Sequence, residues 1–265
     1  MSLAALVLVL VAAVFHATWN LVLHDTADRA AAMAISGLVS GVVLLPAIVL
    51  SPPAAVLPLV PLSALAESAY GLCLAAAYAR GALSLAYPLG RGTAPLLVTL
   101  GGWLLLAQAP GANGLLGAVA LAAGLALVAT VGRRAGQSAA VGFALLTGAC
   151  IASYSLLDAR AVQQAAPVGY LGAVLLLQGI FLTLWLRCDW RRLRRALAPG
   201  AKIAVGSVAA YLLVLFAFQR AGAGRVATLR EVSVLLGILL ARDKLGPRVW
   251  AGAALVVVGA VLTAL

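Results

Sequence analysis

Leu3 to Leu23 reads LAALVLVLVAAVFHATWNLVL, a run that holds no Asp, Glu, Lys or Arg. A helix needs roughly 20 apolar residues to cross a hydrocarbon core, so this one stretch is long enough to span. Its apolar residues run on instead of alternating, which excludes a barrel strand and leaves a helix. The same pattern recurs along the chain. Further apolar stretches cover 31–50, 62–79, 82–106 and 112–131, then 139–157, 168–187, 201–219, 224–241 and 247–264. Ten spans use about 200 residues and leave about 65 for connections and ends, with no room for a soluble domain. The composition agrees: 65% of the 265 residues are hydrophobic and 9% are charged, with a mean hydropathy of +1.13. A water-soluble chain of this size needs more polar surface than that. The expected fold class is an all-α polytopic membrane protein. The first stretch lacks the basic n-region of a signal peptide and is read as a retained helix.

The net charge of +11 would suggest a nucleic-acid partner in a soluble protein. Here Lys and Arg cluster in particular loops, as topology signals do, so the expected partners are lipid and a small solute, with no nucleic acid. Arg29, Arg80, Arg133, Arg134, the 187–202 cluster and Arg242 to Arg248 fall on one side, and Arg160, Arg220 and Arg225 on the other. That bias places both chain ends outside the cytoplasm. Within the cluster, Cys188 to Pro199 (CDWRRLRRALAP) sets Trp190, Leu193 and Leu197 on one helical face and arginines around the rest, the pattern of a short interfacial helix. Cys73 and Cys150 lie in apolar stretches as small buried hydrophobes. With Cys188 they form neither a disulfide frame nor a zinc spacing, so no metal or other cofactor is expected.

Slid along itself by about 135 residues, the chain matches Gly37 with Gly172, Gly102 with Gly237, Gly117 with Gly252, Gly124 with Gly259, and Trp19 with Tyr154. The span boundaries match at the same offset. Residues 1–135 and 136–265 thus read as two repeats of five helices each. An odd helix number inserts the copies with opposite orientation, the inverted plan that puts a binding site near the midplane between halves.

Charges at membrane depth are costly and face an internal cavity when they persist. Glu67, Arg91, Arg230 and Glu231 are the four candidates. The fourth stretch, Gly81 to Pro95, carries Pro88, Pro95, Gly90 and Gly92 around Arg91, with Tyr87 one turn earlier on the same face. It is expected to be an interrupted helix lining a cavity. Arg230 falls on Pro95 under the repeat offset, close to the equivalent of Arg91. Guanidinium suits bidentate binding of carboxylate or phosphonate oxygens. The alternative is buried ion pairing, Arg91 with Glu231 or Glu67 with Arg230, which locks helices together. His16 and Asn20 share a face beside Trp19 on the first helix, and read either as helix–helix hydrogen bonds or as cavity wall. Tyr70, Tyr78, Tyr154, Gln178 and Tyr211 read as packing glue. Asp25, Asp28, Asp158, Asp189 and Asp243 all read as lying near loops, and no enzyme motif is present.

His16-Ala-Thr-Trp-Asn20, Leu85-Ala-Tyr-Pro-Leu-Gly-Arg-Gly92 and Leu229-Arg-Glu-Val-Ser233, in this order on a ten-helix frame, resemble the EamA-type transporters of the drug/metabolite transporter superfamily. The Gly-rich stretches 114–131 and 249–264 look like the helices that close each repeat. The resemblance implies two inverted five-helix repeats and a central cavity. It also implies a non-enzymatic secondary transporter in the cell membrane that moves amino acids, organic anions or phosphonate-like solutes by alternating access, coupled to protons or by exchange. A homodimer is compatible with it. The cavity would draw on Trp19, Asn20, Tyr87, Arg91, Arg230 and Glu231. Gln108 and Asp243 occupy places where relatives often carry an acid at the ends of both the fourth and the ninth helices, and relatives are usually drawn with both ends in the cytoplasm, opposite to the loop charges here. A non-transporting scaffold or sensor with structural ion pairs is the competing reading.

Overall fold

Lipid supplies no hydrogen-bond partners, so each apolar stretch satisfies its backbone within itself, as a helix. The computed structural model describes residues 2–81, 83–131, 138–231, 233 and 246–264; the side chains of 83–84, 87–88, 125–126, 128–131, 260 and 263–264 lie outside the description. Among the described residues every regular element is helical: α1 (Leu3–Asp25), α2 (Arg29–Val43), α3 (Leu45–Leu50), a 3-10 turn (Ala54–Val56), α4 (Leu59–Arg80), α5 (Leu83–Leu106) and α6 (Ala112–Val131), then α7 (Ser138–Ala161), α8 (Pro167–Trp185), α9 (Trp190–Arg195), α10 (Leu197–Phe218), α11 (Ala223–Leu229) and α12 (Pro247–Ala264). Six of them, α1, α4, α5, α7, α8 and α10, are long and apolar enough to cross a membrane.

Three expectations are corrected. The stretch 31–50 is two helices, because α2 stops at Leu44, whose N–H returns to the Ser40 carbonyl, and Pro46 follows. Proline has no donor and its ring obstructs the preceding turn, so a helix restarts there and does not continue. The expected interruption at Pro88 and Pro95 is absent: α5 is one helix of 24 residues. Gly90 serves packing, since a methyl on Gly148 of α7 would stand 2.9 Å from the Gly90 carbonyl oxygen. The break occurs in the ninth stretch, where α11 ends at Leu229 and the Glu231 N–H bonds the Thr228 carbonyl at 3.1 Å, a tightened turn. Residues 234–245 of that stretch lie outside the description.

Apolar side chains gain nothing by leaving lipid for protein, so helices in a membrane associate through close packing. The helices pair as α1 with α10, α2 with α8, α4 and α5 with α7, and α6 with α12. Glycine permits the tightest crossings. A methyl on Gly37 would lie 2.6 Å from the Gly179 backbone nitrogen; one on Gly124 would lie 2.6 Å from the Gly252 carbonyl oxygen, and one on Gly259 equally 2.6 Å from that of Gly117. On one face of the bundle α9 lies across the α1–α2 turn. Asp189 caps α9, Leu193 is buried, and Trp190 and Leu197 are exposed. Arg192 donates from Nε to Asp28 Oδ2 at 2.7 Å and from Nη2 to Oδ1 at 3.0 Å, while Asp28 caps α2 by accepting the Ala31 N–H at 3.1 Å. The three cysteines are free.

Gly37→Ala should lose most folded protein, read as the monodisperse fraction in detergent, because both backbones are already in contact. Gly142→Ala, which meets nothing within 4 Å, should behave as wild type. The hydrogen bonds from Arg192 hold the Asp28 carboxyl below its usual range. A depressed carboxylate contributes stability above its unfolded value and loses it as pH falls through the folded one. Asp28→Ala should therefore lower thermal stability at neutral pH by about 1 kcal/mol, mostly through the lost cap, and the difference from wild type should shrink in acid.

Candidate functional site

The helices bring a set of polar side chains to one buried cavity of about 40 Å³. Its wall includes His16 and Trp19 of α1, Glu67 and Tyr70 of α4, Tyr154 of α7, Gln178 of α8 and Tyr211 of α10. Helical periodicity places Glu67 and Tyr70 on one face of α4. Tyr154 stands edge-on to both neighbours, with ring centroids 5.8 Å from Tyr70 and 5.6 Å from Tyr211. Gln178 is fixed by donating to the Glu67 backbone carbonyl at 3.3 Å.

Arg230, only 1% exposed, enters from the turn that ends α11. Its guanidinium lies over the Tyr211 ring at 5.5 Å, and Nη2 stands 3.1 Å from His16 Nε2. Trp19 Nε1 donates to His16 Nδ1 at 3.0 Å. Tryptophan and arginine carry donors only, and a neutral imidazole accepts at one nitrogen. With Nδ1 accepting, Nε2 carries the ring hydrogen and faces a second donor. Arg230 Nε also has no partner among the described residues. The corner between α1 and α11 thus presents more donors than acceptors.

Of the residues singled out by sequence, His16, Trp19 and Glu67 line the cavity and Arg230 joins its wall through His16 and Tyr211. Arg91 pairs with Glu231, Nη2 to Oε1 at 3.4 Å, with side chains 3% and 2% exposed. Among the described residues Glu67 and Arg230 form no ion pair; they interact only at longer range. Asn20 donates to the His16 carbonyl at 2.8 Å and accepts from Tyr78 at 3.4 Å, tying α1 to α4 outside the cavity wall. The side chain of Tyr87 lies outside the description, as do the structures of Gly237 and Asp243.

Asp158 is the addition of most consequence. It does lie near a loop, in the last turn of α7, but it is 0% exposed, and accepts Ser63 Oγ–H at 2.6 Å, Tyr170 O–H at 2.6 Å and the Tyr211 hydroxyl. Tyr211 is therefore no packing filler: its hydroxyl holds Asp158 while its ring carries Arg230. The available sequence signal was the one-turn spacing of Tyr154 and Asp158.

Residues 138–265 match the EamA-like transporter family, part of the drug/metabolite transporter superfamily. With the apolar helices, this match supports a multi-pass transmembrane transporter of that superfamily. The motifs at 16–20 and 85–92 lie outside the matched range. No curated protein matches the chain. A crystal structure described only as that of a protein superposes with a TM-score of 0.68 at 15% identity, over 98% of this chain and 96% of that one; the likeness extends the shared fold to the first half.

Arg91→Ala should leave the Glu231 carboxylate buried and unpaired, a loss of about 3–5 kcal/mol. Thermal melting in detergent should show that loss, with stability regained when both residues become Met.

Proposed function

We propose that the protein is a secondary transporter of the cell membrane that carries a small anionic or zwitterionic metabolite by alternating access. The observation that carries this reading is the excess of donors where Arg230 meets His16 beside a narrow cavity. A carboxylate or phosphonate oxygen set between Nη2 and Nε2 would accept from both and leave Arg230 Nε a second oxygen to bond, the bidentate geometry that guanidinium favours. Glu67, across the cavity, is placed to meet the ammonium group of a zwitterion. No step of this reading needs covalent chemistry.

The cavity supports movement as part of the cycle. About 40 Å³ accommodates a water or two, so a metabolite enters only when helices separate. The packing suits two inverted repeats rocking against each other. The offset of about 135 residues exchanges α1–α10 with α7–α4 and turns α2–α8 and α6–α12 each into itself. It also converts the Gly124–Gly252 contact into the Gly259–Gly117 contact at the same 2.6 Å. The Arg91–Glu231 pair favours a structural role for those two residues, which is the part of the scaffold reading that the geometry supports.

Proteoliposomes loaded with a mixed pool of amino acids, organic acids and phosphonates should lose one solute class through wild-type protein and not through empty vesicles. Arg230→Lys, which keeps the charge and loses the fork, should slow that loss by about tenfold or more, equivalent to about 1.4 kcal/mol. Equal loss from wild-type and empty vesicles, with the protein shown to be folded, would overturn the transporter reading.

A further inference from the structure

We propose that Asp158 and the three hydroxyls around it form a proton-operated latch that closes the cavity on the membrane face opposite α9. The inference rests on the transporter reading and adds to it the coupling ion and the moving contact.

Asp158 stands one turn beyond the cavity-lining Tyr154, toward the α7–α8 connection. Ser63 stands one turn before the cavity-lining Glu67, and Tyr170 lies in the first turn of α8. All three positions are displaced from the cavity toward the same face. Oδ1 of Asp158 accepts from Ser63 on α4 and from Tyr170 on α8, each at 2.6 Å, and Oδ2 accepts from Tyr211 on α10. One carboxylate thereby holds three helices onto a fourth. Two further bonds tie α7 to α10 at this face whatever the charge of Asp158: Gln163 Nε2 donates to the Phe218 carbonyl and Gln219 Nε2 to the Val162 carbonyl, both at 3.0 Å. α4 also packs along α7, whereas α8 packs on α2, so the separable contact is the one from Tyr170 on α8.

An ionised carboxylate offers acceptor sites only, and suits three donors; a carboxylic acid carries a hydrogen of its own. When a proton binds at Oδ2, that oxygen becomes a donor and Tyr211 must turn its hydroxyl to accept. The bonds at Oδ1 then become neutral ones, roughly half as strong as charge-assisted bonds. The proton is released again when the three hydroxyls reassemble on the carboxylate. Tyr211 transmits the change, because its ring holds the Arg230 guanidinium at the substrate corner.

The ionisable groups that face Asp158 are Glu67 on α4, Tyr154 on α7, Tyr170 on α8, Tyr211 on α10 and Arg230 after α11. Arg91 on α5 is engaged with Glu231. The positions equivalent to this cage in the other repeat carry neither an acid nor a hydroxyl. Under the repeat offset Asp158, Ser63, Tyr170 and Tyr211 fall on Leu23, Ala198, Ile35 and Ala76, all apolar. The buried hydroxyl cage is thus confined to one face, while the other carries the exposed Asp28–Arg192 pair.

The test uses the full chain in lipid nanodiscs, with Cys73, Cys150 and Cys188 replaced by Ala and spin labels at Leu50→Cys and Arg220→Cys. Both positions are exposed at the latched face, one at the end of α3, which packs on α8, and one past α10. Electron–electron distance measurements should give one short distance in alkaline buffer and a longer population that rises severalfold in acid. Asp158→Asn should show the longer population in both buffers, Tyr170→Phe should open at a less acidic pH, and Glu67→Gln should keep the response. A distance indifferent to pH, or acid-driven opening that persists in Asp158→Asn, would overturn the latch. If Asp158→Asn does not fold, an unchanged profile in Tyr170→Phe would do so. The readout needs no solute: transport with a pH-indifferent distance would sink the latch alone, and a pH-driven distance without transport would sink the carrier reading alone.

Discussion

Hydrocarbon cannot solvate a guanidinium, and the burial of Arg230 sets the terms for everything around it. Its neighbours include an imidazole, the face of one phenol, the hydroxyl of Tyr154 and, at longer range, the carboxylates of Glu67, Asp158 and Glu231. Removal of any one leaves a charge or donor that lipid cannot satisfy. The polar chain Asp158–Tyr211–Arg230–His16 therefore specifies how α1, α7, α10 and α11 sit together, while the apolar surface outside it specifies only that they stay in the membrane. At His16 this balance does not close among the described residues.

Close packing by glycine makes such a chain of contacts feasible. Where Gly37 meets Gly179 and Gly90 meets Gly148, backbones approach until no methyl fits, and polar side chains one or two turns away come within hydrogen-bonding distance. The glycines are as much a part of the site as the charges. They also favour motion as rigid units, since tightly packed crossings offer discrete arrangements instead of continuous deformation. The small cavity fits a bundle with a few such arrangements.

The charges at depth were legible because each interrupts an apolar run. Glu67, Arg91, Arg230 and Glu231 stand out in this way, and all four are buried at the centre. Asp158 was not legible, because only three residues separate it from the end of α7 and the Gln163-Gln164 pair resembles the start of a loop. Its three hydroxyl partners come from α4, α8 and α10, and no local pattern relates Ser63 to Tyr170 or Tyr211. The helix break was misplaced for a similar reason. Pro88 and Pro95 are strong local signals, yet α5 continues through both, with α7 packed against it at Gly90. The break came instead at Arg230, where buried polar contacts hold a turn without any proline.

Sequence alone determined the class of solvent, the helical character, the bounds of most described helices other than those of the second and ninth stretches, and the identity of the costly charges, because hydropathy and periodicity are properties of single segments. The pairing of Arg91 with Glu231, the donor-rich corner at His16, and the hydroxyl cage of Asp158 were decided by tertiary structure. Each depends on distances between helices far apart in the chain, and those distances are set by where glycines let the helices touch.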